Sequence, residues 1–134
     1  MGDTTFTEWL AAFSNRYAES APESLAELFS EDVDYHHTPF EAPVRGQHAL
    51  TQFFRDTLEL RRETSFKAET IHEDSAVGWA KWSSTFTRKG TEDPVRQEGV
   101  FKVVLNDVGV CVELHQWWNS LEPGQGDLMR DFDA

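Results

Sequence analysis

The spacing of apolar residues changes period at Thr64, and that change sets the fold class. Before it, Phe6, Trp9, Leu10, Phe13 and Tyr17 recur at helical spacing, behind a Thr5-Phe6-Thr7-Glu8 capping box. Ser20-Ala21-Pro22-Glu23 reads as a second capping box opening a short helix with Leu25, Leu28 and Phe29 inward. Val33 to Thr38 reads as extended, Pro39 and Pro43 break the chain, and Gly46 ends the loop. A third helix then carries Leu50, Phe53, Phe54 and Leu58.

After Thr64 the period is that of strands. Ser65 to Glu73, Ala76 to Arg88, Val95 to Leu105 and Val110 to Asn119 are the expected strands, with turns at 89–94 and at Asn106-Asp107-Val108-Gly109. Helices followed by an antiparallel meander predict an α+β domain with helices on one face of a curved sheet. With 134 residues the chain is one domain, expected over 1–119. The acidic stretch 120–134, with Gly124 and Gly126, is expected to fray.

The last strand carries the most suggestive letters. Side chains alternate between faces along a strand, which groups Val112, Leu114, Gln116 and Trp118 on one side and Cys111, Glu113, His115 and Trp117 on the other. An acid and a histidine enclosed beside a tryptophan are costly unless partnered, so such pairs concentrate at functional sites. The aromatic content of 13% is enough to line a cavity as well as a core.

Charge and composition exclude several classes. A formal net charge of -12 argues against nucleic acid and anionic membranes as partners, since both require basic patches. No apolar run is long enough to span a bilayer, no signal peptide is visible, and Phe6 stands where a myristoylation motif needs Ser or Thr. The single Cys111 leaves no internal disulfide and suits a reducing compartment, so a cytoplasmic protein is expected. His-x-x-x-His, a Cys pair and an Asp-rich loop are all missing from the sequence, so neither a metal nor a cofactor is expected.

The order of elements resembles the nuclear transport factor 2-like superfamily, in its SnoaL-like and ketosteroid-isomerase-like branch. The resemblance rests on the short helix ending Glu27-Leu28-Phe29-Ser30-Glu31-Asp32, the strand Val33-Asp34-Tyr35-His36-His37, the proline loop closed by Gly46, and the helix after it; it covers roughly residues 5 to 119. It implies a cone-shaped α+β barrel in which a curved antiparallel sheet wraps three N-terminal helices around a deep pocket. It also implies a homodimer through the convex sheet face, with Trp79 and Trp118 as interface candidates. Fold alone does not give the reaction.

Aligned this way, the steroid isomerases' catalytic aspartate falls on His37, their oxyanion-hole tyrosine near Phe13, and their protonated aspartate near Gly99. Two of three catalytic groups are missing, so classical ketosteroid isomerisation is not expected. The Asp-Arg-Asp set of the family's epoxide hydrolases is not evident either. The resemblance turns Glu113, His115 and Trp117 inward. It predicts a pocket with His37, Glu113, His115 and Tyr35 as catalytic candidates. Phe13, Phe53, Trp82, Ser84, Phe86, Gln97, Phe101 and Trp117 are the ligand-binding candidates.

In that reading His37 is a base near neutrality, Glu113 and His115 relay or position, and Tyr35 donates to a carbonyl oxygen. The expected activity is a cofactor-independent lyase or isomerase, similar to polyketide cyclases and dehydratases, acting on a small apolar or aromatic carbonyl compound. Each residue also has a structural reading: a solvated histidine, a polar corner, a packed aromatic. The competing functions are non-catalytic small-molecule binding, which needs only the aromatic pocket, and a dimeric interaction domain.

Overall fold

A computed structural model describes residues 5–122. Helix α1 (Phe6–Ala18) starts where the capping box places it, with Thr5 Oγ1 accepting from the Glu8 backbone N–H at 3.1 Å. Its apolar stripe buries Phe6, Trp9, Leu10 and Phe13. Helix α2 (Pro22–Ala26) is only five residues long, and its cap position is Ala21, which has no side-chain oxygen to offer. Ser20 therefore does not cap it; with φ at +55° it takes the left-handed turn out of α1 instead.

Strand β1 (Phe29–His36) begins four residues earlier than the extended segment expected from sequence, and β2 (Val44–Arg45) adds a short antiparallel edge. Helix α3 (Gln47–Glu59) starts after Gly46, whose φ of +90° is the conformation that glycine adopts without strain. The Gln47 amide donates to the carbonyls of Ala26 (2.8 Å) and Phe29 (2.9 Å), tying the start of α3 to the end of α2. Strands β3 (Arg61–Asp74), β4 (Val77–Arg88), β5 (Asp93–Leu105) and β6 (Cys111–Leu121) complete one six-stranded sheet in the order β2-β1-β6-β5-β4-β3. All neighbours are antiparallel except β1 and β6, which run parallel.

The curved sheet closes over the helices around an aromatic core. Trp9 is fully buried, stacks on Phe13 at 5.3 Å, meets Phe29 edge-on at 5.6 Å, and donates its indole N–H to the Leu28 carbonyl. Strand β6 reaches Leu121, two residues past the expected boundary at 119, and Glu122 forms a two-pronged ion pair with Arg88. The remainder of the acidic stretch lies outside the described residues.

One irregularity in β6 decides which groups face the interior. Leu105 pairs with Cys111, and the next residue back, Val104, pairs with Glu113. Val112 is thus an extra residue, a β-bulge. Alternation is reset by one at that point, so every side chain beyond it changes face. Cys111 and Leu114 are both fully buried although three residues apart.

Candidate functional site

Inside the cone is a cavity of about 190 Å³ lined by residues from every layer. Helix α1 contributes Phe13 and Tyr17, and β1 contributes Tyr35 with His37 just beyond it. Helix α3 contributes Phe53, Phe54 and Thr57, followed by Arg61 at the start of β3. The sheet wall is Phe66, Trp82, Gln97, Phe101, Gln116 and Trp118. An apolar hollow with a few polar points is the usual form of a small-molecule site, although this one is smaller than the common range of roughly 300–1,000 Å³. A wider hollow of about 570 Å³, bordered by Glu63, Phe86, Val95, Leu121 and Glu122, opens at the far end of β4 and β5, where the described chain stops. The cone cavity, with its convergent aromatic and polar side chains, is the better candidate site.

His37 is held in place through its backbone. The Gln116 amide and the Trp118 indole both donate to its carbonyl, at 3.1 and 2.8 Å. Its ring lies 4.9 Å from that of Phe53, and its Nε2 is 3.5 Å from a carboxylate oxygen of Glu41 in the proline loop. Only a fifth of the side chain is exposed. Tyr35 is 3% exposed, packs on Phe53 and Phe54, and is pushed far up from the ordinary phenol pKa, chiefly by burial. It is therefore a neutral hydroxyl that can donate a hydrogen bond into the cavity. The Gln97 amide, buried at 8% exposure on the opposite wall, makes no hydrogen bond among the described residues and is a second polar point.

Two further groups were not evident from sequence. Tyr17 lies one helical turn beyond Phe13 on the same face of α1, and its hydroxyl accepts a hydrogen bond of 2.7 Å from Arg61 Nη1. Burial raises the Tyr17 phenol pKa, and the Arg61 charge beside it opposes that rise. Arg61 follows Phe53 and Thr57 at steps of four, a spacing that could have placed it on the cavity side of α3, but Arg61-Arg62 reads as a surface basic pair.

The bulge at Val112 corrects the expected site. Glu113, His115 and Trp117 lie on the convex side, away from the cavity, while Leu114, Gln116 and Trp118 turn inward. On the convex side His115 Nε2 is 3.0 Å from a Glu113 carboxylate oxygen, and the His115 ring stacks on His36 at 4.0 Å and on Trp117 at 6.2 Å. Trp117 stacks in turn on Trp79, over which the Lys102 ammonium sits at 5.7 Å. Trp79, Lys102, His115 and His36 are cross-strand partners over four neighbouring strands, which is why they form one row. Trp118, expected on the convex face with Trp79, is at the cavity instead.

Ser84 and Phe86 share the inward face of β4 with Trp82 but do not line the cavity. Ser84 is a buried structural hydroxyl donating to the Ser65 carbonyl at 2.7 Å, and Phe86 lies 4.0 Å beneath the Arg61 guanidinium. Phe13, Phe53, Trp82, Gln97 and Phe101 all line the cavity. It does contain an arginine, yet no Asp or Glu is among its lining residues, so the acid-flanked arginine of epoxide hydrolysis is not assembled. Among the described residues no three His, Cys, Asp or Glu side chains group as metal ligands, and no helix is long and apolar enough to cross a membrane. Cys111 is fully buried, and burial pushes its thiol pKa well up, the opposite of what a nucleophile needs.

Solved structures share this fold at low sequence identity. SalBIII, an epoxide hydrolase/cyclase-like enzyme of pyran ring formation in the polyether salinomycin, superposes with a TM-score of 0.75 at 14% identity, over 84% of this chain and 89% of that one. A putative isomerase from Bacillus subtilis gives 0.75 at 20% identity, over 84% and 85%. A computationally designed 17-OHP binder gives 0.72 at 14% identity, over 89% and 98%. No curated protein matches in sequence. The model of the SnoaL-like domain matches residues 6–113, most of the chain and every element from α1 to the first part of β6. With that match and the cone around its aromatic cavity, the chain belongs to the SnoaL-like domain family.

Proposed function

We propose that the protein is a cofactor-independent lyase or isomerase that moves a proton on a small carbonyl compound bound in the cone cavity. The observation that carries this reading is the placement of His37 and Tyr35 on one cavity wall. Imidazole is the side chain best suited to proton transfer near neutrality, and Tyr35 is a neutral donor. His37 takes a proton from the carbon next to the carbonyl. The Tyr35 hydroxyl donates to the oxygen on which negative charge builds, and His37 returns the proton to a new position or to a leaving group. Glu41 sits 3.5 Å from the His37 Nε2, and the double grip of Gln116 and Trp118 on the His37 carbonyl fixes where the ring starts. Glu113 and His115 have no part in this scheme.

Exchange of α-protons for deuterium in a panel of small aryl ketones tests the reading, followed by proton magnetic resonance in deuterated buffer. The protein should accelerate exchange for at least one member. His37→Ala should lower that rate about 100-fold or more, the usual size of a general-base contribution, and His115→Ala should leave it within about twofold. An active His37→Ala variant would contradict the proposal. A second reading, non-catalytic binding in the same cavity, is favoured by the lack of any carboxylate among the lining residues to relay the proton onward. Saturable ketone binding with no exchange across the panel would select it.

A further inference from the structure

Arg61 stands apart from the other described arginines. Arg16, Arg45, Arg55, Arg62, Arg88 and Arg96 each have a carboxylate within ion-pair distance. Arg61 has none among the described residues, although the chain carries 24 acids against 12 Lys and Arg. It lines the cavity, where its one side-chain hydrogen bond among the described residues is to the Tyr17 hydroxyl, and its Cζ sits 4.0 Å from the centroid of the Phe86 ring. The Phe86 ring attracts the charge and supplies no acceptor for its N–H groups. A guanidinium has five such donors in a planar fork, and Tyr17 takes one.

The neighbouring groups are donors too. The Tyr17 oxygen accepts from Arg61, so its own O–H hydrogen remains to be given. The Tyr35 hydroxyl, 3% exposed, has no partner among the described residues. The Trp82 indole N–H is fully buried and unpartnered. Histidine apart, nothing on the cavity wall is titratable except these phenols and this cation. The wall thus presents one positive charge and several spare donors, and what it lacks is a negatively charged acceptor. Arg61 is partly exposed, and a carboxylate laid on its fork gains charge-assisted hydrogen bonds that the cavity wall does not supply.

We propose that the cavity takes a small organic carboxylate, its oxygens on the Arg61 guanidinium and the Tyr17 hydroxyl and its apolar body among Phe13, Phe66 and Phe101. The inference rests on reading the cone cavity as a small-molecule site, and it narrows the substrate to carbonyl compounds that also carry a carboxylate. Arg61 lies eight residues beyond the Phe53 ring that packs on His37. Six of those steps, to Glu59, are in α3 and span roughly 9 Å at a helical rise of about 1.5 Å per residue, before Leu60 leads into β3. The anion is therefore held at one end while the carbonyl and its acidic carbon reach toward His37 at the other.

Binding of benzoate and of acetophenone, its neutral counterpart of nearly the same shape, tests this by titration calorimetry on the full chain at pH 7. Benzoate should bind about tenfold more tightly or better, the factor expected from one hydrogen bond to a charged group. Arg61→Met should bring the benzoate-to-acetophenone ratio to near one. Tyr17→Phe, which keeps the ring and removes only the hydroxyl, should lower the ratio severalfold and decides the matter if Arg61→Met does not fold. Equal affinity of the two probes in the unaltered protein, or a ratio unmoved by both substitutions, overturns the carboxylate assignment and leaves the cavity reading standing. If neither probe binds, the cavity reading falls and takes this inference with it.

Discussion

The two faces of the sheet carry similar letters and do opposite things. The cavity side has His37 with Tyr35, Trp82 and Trp118; the convex side has His36 and His115 with Trp79 and Trp117. On the convex side the side chains satisfy one another: His115 is paired with Glu113, His36 is stacked on His115, and the tryptophans are stacked together. On the cavity side His37 has Glu41 within ion-pair distance and Tyr17 is bonded to Arg61, but other polar ends are spare. Gln116 and Trp118 spend their N–H groups on the His37 carbonyl, while the Tyr35 hydroxyl, the Trp82 indole and the Gln97 amide face inward without partners among the described residues. Spare, enclosed polar groups are what mark a site, more than the presence of histidine or tryptophan.

Packing gives the sharpest way to break this comparison. Phe13 is 2% exposed and touches Trp9, Phe29, Phe54, Phe66 and Phe101, whereas Trp117 is 44% exposed. Phe13→Ala should therefore cost about 3–5 kcal/mol in urea unfolding, and Trp117→Ala about 1 kcal/mol or less. Similar losses from the two would mean that the convex face is as buried as the core.

Next in size is Gly99, paired with Trp118 at the cavity wall. A β-carbon there would lie 2.4 Å from the Trp117 carbonyl oxygen, which is backbone and cannot swing aside. Gly99→Ala should cost about 1–3 kcal/mol and displace Trp118, loosening the grip on His37; a thermal melt with indole fluorescence reads both. A neutral substitution would place β5 and β6 farther apart than they are here.

The smallest effect is one of pH, and it belongs to the convex face. Burial, with the His115 charge acting in the same direction, lowers the His36 pKa; Asp34 and Glu113 oppose the shift, and Arg45 adds to it. Lys102 lies opposite His115 in the same row. The unfolded chain therefore binds more protons than the folded one between the lowered value and the ordinary value of about 6.5. His36 thus favours the folded state fully above pH ~6.5, and that contribution falls away as pH drops through the window. His36→Gln should flatten the fall in melting temperature between pH 7.5 and 5.5, and a His36 imidazole that titrates at or above its ordinary value would contradict the stacked pair.

Much of the fold was legible in the residues. The Thr5 cap, the apolar stripes of α1 and α3, and the Asn106–Gly109 turn depend on local chemistry that sequence carries directly. Tyr35 and His37 follow from simple alternation past Val33, and both reach the cavity. Alternation left the inward face of the last strand open, and the resemblance turned Glu113, His115 and Trp117 inward with a register that ran unbroken past Val112, where one residue has no partner opposite. The run Val110-Cys111-Val112, three apolar residues in a row before the alternation resumes, is a visible trace of that bulge. Arg61 was hidden differently: the role proposed for it depends on the lack of a nearby acid among the described residues, which is a property of three-dimensional neighbours rather than of spacing.

The central claim is that the cavity behind His37 is the site and the Glu113–His115 face is not. Carbon–proton spectra of the histidine imidazoles, recorded while acetophenone is added to saturation, test it most directly. The account predicts a saturable shift at His37 with His36 and His115 unmoved. A shift at His115 or His36 with His37 still would put the ligand on the convex face and contradict it.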